Sequence, residues 1–199
     1  MNRNPEHDTR EHLLAVGEHL CLARGFIGMG LSELLRTAQV PKGSFYHYFR
    51  SKEAFGVVVL EQYHHRFHQH LRTQLAAPPG EHGKRLLFWY QNALQEFCIS
   101  GRLSNCLTVK LSAEVCDLSE DMRAALDNGA RCVMVLLAES LQCARESGEL
   151  CFEPSPQTLA QVLYALWLGA SLQAKLSRSP DALECALAHI KNILASPVC

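Results

Sequence analysis

Apolar positions recur at three- and four-residue intervals through most of the chain, and the strict alternation of a half-buried strand is nearly absent. Leu13, Leu14, Val16, Leu20 and Ala23 form the first apolar stripe. Asp8 with Glu11 reads as a capping box ahead of it and Gly25 as a C-terminal cap, which predicts a helix over 9–24. Leu31, Leu34 and Leu35 share one side of a short helix from Leu31 to Thr37 or Ala38. Gln39-Val40-Pro41 then turns the chain, and Pro41, with no amide hydrogen to lose, sits near the start of a third helix of about six residues. Ser51 caps a long fourth helix to Leu75, whose outer face carries His64, His65, His68, His70 and Arg72. The run Ala76-Ala77-Pro78-Pro79-Gly80 ends it and is the best boundary. Further helices are predicted over 83–99, 105–115, 119–146, 156–177 and 181–195, several signalled by Ser119, Ser155-Pro156 and Ser179-Pro180-Asp181 at their starts. The fold class is therefore all-α, nine helices with no convincing strand.

Two short helices joined by a turn and braced by an earlier amphipathic helix make the helix-turn-helix layout, in which the second short helix enters the major groove of DNA. The third helix suits that task. Gly43 permits close approach to phosphates, Ser44 and Tyr46 offer hydroxyls, and Lys42 and His47 offer donors to bases or backbone. Lys52 adds its charge to the start of the fourth helix, a natural phosphate site. Phe45 and Phe49 are assigned to the core of the small unit, whereas Tyr46 and Tyr48 lie on other faces and are assigned to DNA.

Composition sharpens this by exclusion. With 199 residues, 48% hydrophobic and 20% charged, the chain can bury a sizeable core and is neither disordered nor fibrous. The longest uncharged apolar stretch, Thr158–Ala174, is interrupted by Gln161 and Gln173 and falls short of the roughly 20 residues of a membrane span. The opening MNRNPEHDTR has no apolar run, so a cytoplasmic protein is expected. A net charge of −1 gives the whole chain no basic excess. Locally, however, Pro41–Lys52 carries Lys42, Arg50 and Lys52 with no acid, interleaved with aromatic rings.

At GFIGMGLSELLRTAQVPKGSFYHYFRSKEAF (residues 25–55) the chain resembles the TetR family, with its glycine-aromatic opening, short helix, turn and glycine-aromatic-tyrosine recognition segment closed by Ser-Lys-Glu. NCLTVKLSAEVCDLSEDMR and LYALWLGASLQAKLSRS extend the resemblance to one branch of the family over nearly the whole chain. The resemblance implies a homodimeric repressor that binds palindromic double-stranded operator DNA and lets go when its C-terminal domain is modified or liganded. It places the DNA contacts on Lys42, Gly43, Ser44, Tyr46, His47, Tyr48 and Lys52. Gly30 and Leu31 stand where the family usually caps its second helix with threonine or serine. The expected organisation is a DNA-binding domain over 1–52, a connecting helix over 52–75, and a sensing and dimerisation domain over 76–199.

The nine cysteines form no CxxC pair, and in a reducing compartment most are expected to be free thiols. Cys21, Cys98, Cys132, Cys143 and Cys185 fall inside helices and read as fillers; Cys151 and Cys199 lie near a loop and the terminus. Cys106 differs. It follows Gly101, Ser104 and Asn105 and so belongs to the first turn of the sixth helix, where unpaired amides stabilise a thiolate. Two cations are candidate partners: Lys110, one turn on, and Lys175, the lone charge in an apolar helix, which either snorkels to the domain edge or meets an anion inside. The resemblance favours Cys106 as the sensor of electrophiles or oxidants; Lys175, if its anion is the Cys106 thiolate, lowers that thiol's pKa and completes the sensor, with Lys110 the other candidate partner. His64 and His68, spaced i, i+4, lack further ligands and are read as a solvated face, so no metal or other cofactor is assigned. Phe88, Trp89, Phe97, Val133, Leu137, Tyr164 and Trp167 read as core or, in the ligand-induced alternative, as pocket lining. A thiol enzyme is disfavoured: no CxxC, no evident histidine partner for Cys106, and no phosphate-binding glycine motif occur.

Overall fold

The computed structural model describes residues 5–195 except 102, 104 and 105; the side chains of residues 5–7, 106 and 195 lie outside the description. Among the described residues there are nine helices and no strand: α1 (Pro5–Gly28), α2 (Leu31–Ala38), α3 (Lys42–Tyr48), α4 (Lys52–Leu75), α5 (His82–Ser100), α6 (Cys106–Val115), α7 (Glu120–Glu146), α8 (Pro156–Ser177) and α9 (Asp181–Ala195). The caps read from sequence hold where they are local. Ser51 Oγ accepts from the Ala54 amide at 3.0 Å, Ser119 Oγ from Met122 at 3.3 Å and Ser155 Oγ from Thr158 at 3.1 Å. Ser179 Oγ accepts from the Asp181 amide at 3.3 Å.

The first helix departs from expectation at both ends. It begins at Pro5, so Asp8 lies inside it and caps nothing, and Ala23 is exposed. Gly25 ends its regular part at φ 78° and ψ 171°, a conformation that costs glycine little, and a short helical turn continues to Gly28.

The chain forms two compact units, the first comprising residues 1–66 and 106–129, the second 67–105 and 130–199. The division passes through α4 and α7 rather than at Pro78-Pro79. In the first unit α6 packs on α1, and one core joins Leu13, Leu14, Phe26, Phe45, Phe49 and Phe55 to Leu107, Leu111 and Val115 of α6. Burying six to nine such side chains, at about 1.5–3 kcal/mol each, makes this core the main source of the unit's stability. His64, assigned to an outer face by its spacing, is buried at 5% exposure, and its Nε2 lies 3.1 Å from Thr108 Oγ1 because α6 covers that side of α4.

In the second unit α9 packs on α5 and α8. Its core includes Leu86, Tyr90, Leu137, Leu141, Leu163 and Trp167, with the Tyr90 and Trp167 rings 4.9 Å apart. Phe88, grouped with that core from sequence, is half exposed. No helix among the described residues is long and apolar enough to cross a membrane.

Candidate functional site

The candidate recognition helix α3 is only 7 residues long and has no side-chain cap. It stands because Phe45 and Phe49 anchor it: Phe45 is fully buried, and its ring lies 5.4 Å from Phe49 and 5.5 Å from Phe55. The opposite face is left to solvent. Lys42, Gly43, Tyr46 and His47 are exposed and Ser44 half-buried. Tyr46 stands edge-on to Phe45 at 5.4 Å, with the Lys42 ammonium 5.9 Å from its ring. A side chain at Gly43 would meet nothing within 4 Å, so internal packing does not require glycine there. Tyr48 is half-buried against the core, and the Lys52 ammonium lies 4.6 Å from the Phe26 ring centre. The structure thus brings all seven residues assigned to DNA onto α3 and the first residue of α4. Helix α2 opens on Gly30 without any side-chain cap.

Two ties that the sequence did not announce fasten α6 to α1. The Lys110 ammonium donates to the Leu22 carbonyl at 2.7 Å. One turn on, the Glu114 carboxylate accepts from the Phe26 amide at 2.8 Å and the Ile27 amide at 3.2 Å. All three bonds are charge-assisted and so stronger than neutral ones. Gly25 makes room for them, since a Cβ there would collide with Glu114. A cation on the last carbonyls of one helical segment and a carboxylate on the first amides of the next also match the helix dipoles.

Of the sensor residues, Cys106 is the first residue of α6; its side chain, with Ser104 and Asn105, lies outside the described residues. Lys110 is spoken for by Leu22. Lys175 is exposed rather than embedded. The buried line of α8 runs through Leu163, Trp167, Ala170 and Ala174, and Lys175 falls one residue off it. It lines a surface cleft with Phe97, Cys98, Gly101 and Arg178.

Among the described cysteines, Cys98, Cys132, Cys143 and Cys185 are exposed free thiols, Cys116 is half-buried and free, and Cys151 is disulfide-bonded. Cys21 is buried in the first unit, or head, where loss of solvation pushes its thiol up to about 12.

The chain matches the family models for bacterial regulatory proteins of the tetR family over residues 13–55 and for the tetracyclin repressor-like C-terminal domain over residues 91–190. It is 64% identical over 197 residues to the HTH-type transcriptional repressor NemR of Escherichia coli strain K12, covering 99% of each chain. It is 35% identical over 166 residues to the transcriptional regulator AcuR of Cereibacter sphaeroides, covering 83% of this chain and 75% of that one. The crystal structure of the reduced form of E. coli NemR superposes with a TM-score of 0.90 at 62% identity, over 97% of this chain and all of that one. With family models on both halves and a full-length relative at that identity, the chain belongs to the TetR family of DNA-binding transcriptional repressors, regulators rather than enzymes.

Proposed function

We propose that this repressor senses reactive electrophiles and oxidants, that Cys106 is the sensor, and that its modification releases a palindromic operator held by a homodimer. The observation that carries the proposal is the position of α6. It begins at Cys106, and its next residue, Leu107, is fully buried in the core that also anchors Phe45 of the recognition helix. A covalent change at the start of α6 is therefore made on an element of the DNA-reading unit itself. Helix-start amides favour the thiolate there. On alkylation the sulfur forms an S–C bond and the thiol proton passes to solvent. The added bulk at the helix start moves Leu107, and Lys110 and Glu114 pass that movement to α1, which braces α2 and α3.

DNA contact is assigned to Lys42, Gly43, Ser44, Tyr46, His47, Tyr48 and Lys52, on the strength of their exposed or half-exposed placement and the open space over Gly43. The homodimer is assigned to α8 and α9. Val162, Leu172 and Leu176 are 49%, 47% and 76% exposed, an apolar surface that a second copy would cover. Lys175 is assigned a supporting role toward the Cys106 thiolate, as a cation that solvent can reach and that an anion can therefore pair with.

A second reading, induction by a reversibly bound ligand, has one observation in its favour: the hydroxyls of Tyr90 and Ser171 are buried in the second unit without a hydrogen-bond partner. One experiment separates the two. Operator binding is followed by fluorescence anisotropy while a stoichiometric alkylator is added to the parent protein, to Cys106→Ser, and to serine variants of the other cysteines. Release lost only in Cys106→Ser supports the sensor; release that survives in that variant removes it. Release by an unreactive ligand supports the second reading.

A further inference from the structure

Outside the α6 region, a cleft of about 220 Å³ in the second unit gathers Arg72, His82, Glu139, Ser140 and Cys143 over an apolar floor of Leu75, Ala76 and Leu136. Three features set it apart. Cys143 is an exposed free thiol. Ser140, on the same helix α7, is 6% exposed, and its hydroxyl has no hydrogen-bond partner. The Nδ1 atom of His82, at the start of α5, is likewise buried and unpartnered. A buried polar atom without a partner costs about 1–3 kcal/mol, so the Ser140 hydroxyl and the His82 ring nitrogen, both lining one cleft, point to an acceptor that the folded chain does not itself supply.

We infer that this cleft binds small α,β-unsaturated carbonyl compounds and that Cys143 is a second site of electrophile modification, separate from Cys106. Its size limits the ligand: at about 30 Å³ per water molecule the cleft holds the volume of about seven waters, too little for a drug-sized molecule, and the thiol beside two unpartnered polar atoms selects a short enone or enal among small molecules. The carbonyl oxygen accepts from Ser140 Oγ–H and from His82 Nδ1–H, while the hydrocarbon end lies on Leu75, Ala76 and Leu136. The Cys143 sulfur then adds to the β-carbon. The S–C bond forms, the C=C pair shifts to make the enolate that the same two donors hold, the thiol proton goes to solvent, and the α-carbon takes one up from solvent. The reaction is an addition: nothing leaves, and no oxidant or reductant is consumed.

The test labels the full-length protein with limiting methyl vinyl ketone and reads the adduct on each cysteine by mass spectrometry. Cys132, exposed on the same helix, is the internal reference. Cys143 is expected to react several times faster than Cys132 with the enone. With methyl methanethiosulfonate, a thiol reagent lacking a carbonyl, the preference should vanish. Ser140→Ala should lower the enone rate at Cys143 about fivefold, the effect of losing one ordinary hydrogen bond, and leave Cys132 unchanged. An equal Cys143 to Cys132 ratio with both reagents overturns the inference, as does an unaltered ratio in Ser140→Ala. The reagent comparison needs no variant, so a folding defect cannot rescue the idea. Because the readout is the adduct on each cysteine rather than operator release, this inference and the Cys106 reading can fail independently.

Discussion

The two units of the chain differ in the balance between polar side chains tied to distant backbone, which the second also has in Glu149 on the Lys84 amide, and hydroxyls left unsatisfied. In the unit that carries the recognition helix, polar side chains reach across long sequence separations to backbone: Glu114 holds Phe26 and Ile27, Lys110 holds Leu22, and His12 lies 3.1 Å from the Ala38 carbonyl. In the other, the hydroxyls of Tyr90, Ser140 and Ser171 are buried with no partner. Charged ties fasten α6 to α1 in the first unit. Unsatisfied hydroxyls leave the second with binding capacity its own fold does not use. The contrast teaches that a displacement of α6, if Cys106 modification causes one, has a direct route to α1 within the first unit, while unsatisfied hydroxyls mark the second as a place for a bound molecule.

Substitutions can break or sharpen that contrast. The largest effect is expected from Phe45→Ala, which empties the centre of the head's core and should cost about 3–5 kcal/mol in urea denaturation, with loss of operator binding. Next, Glu114→Ala orphans two amides at once and should cost about 1–3 kcal/mol; if its stability equals the parent's, the tie is incidental. At the DNA face, Lys52→Ala should weaken binding to all sequences alike and lower the salt slope by about one unit, while Tyr46→Phe need not change that slope. Both variants should keep the parent's melting temperature. In the second unit the sign reverses: Tyr90→Phe deletes a hydroxyl that bonds to nothing, and should leave stability unchanged or raise it by up to about 1 kcal/mol.

Cys21 supplies a pH test. Burial raises its thiol from 9.0 to about 12, so the folded chain holds the proton more tightly than the unfolded one. That contribution is complete below pH 9.0 and is lost as the pH climbs toward about 12. Cys21→Ala should therefore flatten the alkaline decline in stability. In the folded parent, Cys21 should stay unalkylated at pH 8 while the exposed thiols react.

What the sequence disclosed, and what it did not, follows from the range of the forces involved. Ser51, Ser119 and Ser155 announce helix starts because a cap acts within three residues, and α2–α3 was legible because Pro41, Phe45 and Phe49 lie close together. Asp8 misled because a cap and an interior acid look alike when a helix starts earlier than expected. Lys110 and Glu114 look like solvated charges on a helix face. Their partners Leu22 and Phe26 are 88 residues away and are backbone groups, which carry no residue signature. His64 turned inward for a related reason, since its spacing shows a face of α4 but not that α6 covers it. Lys175 was placed by its apolar neighbours, and the one-residue offset from Ala174 that exposes it depends on how α8 is rotated.

If modification of Cys106 reaches the recognition helix, it does so through the grip of α6 on α1. Amide hydrogen exchange at Phe26 and Ile27, followed before and after stoichiometric alkylation, tests it most directly. Glu114 accepts from both amides in the unmodified chain. Alkylation is expected to speed their exchange in the parent, in step with operator release, and to change nothing in Cys106→Ser. Release of the operator with the protection of Phe26 and Ile27 unchanged would contradict it.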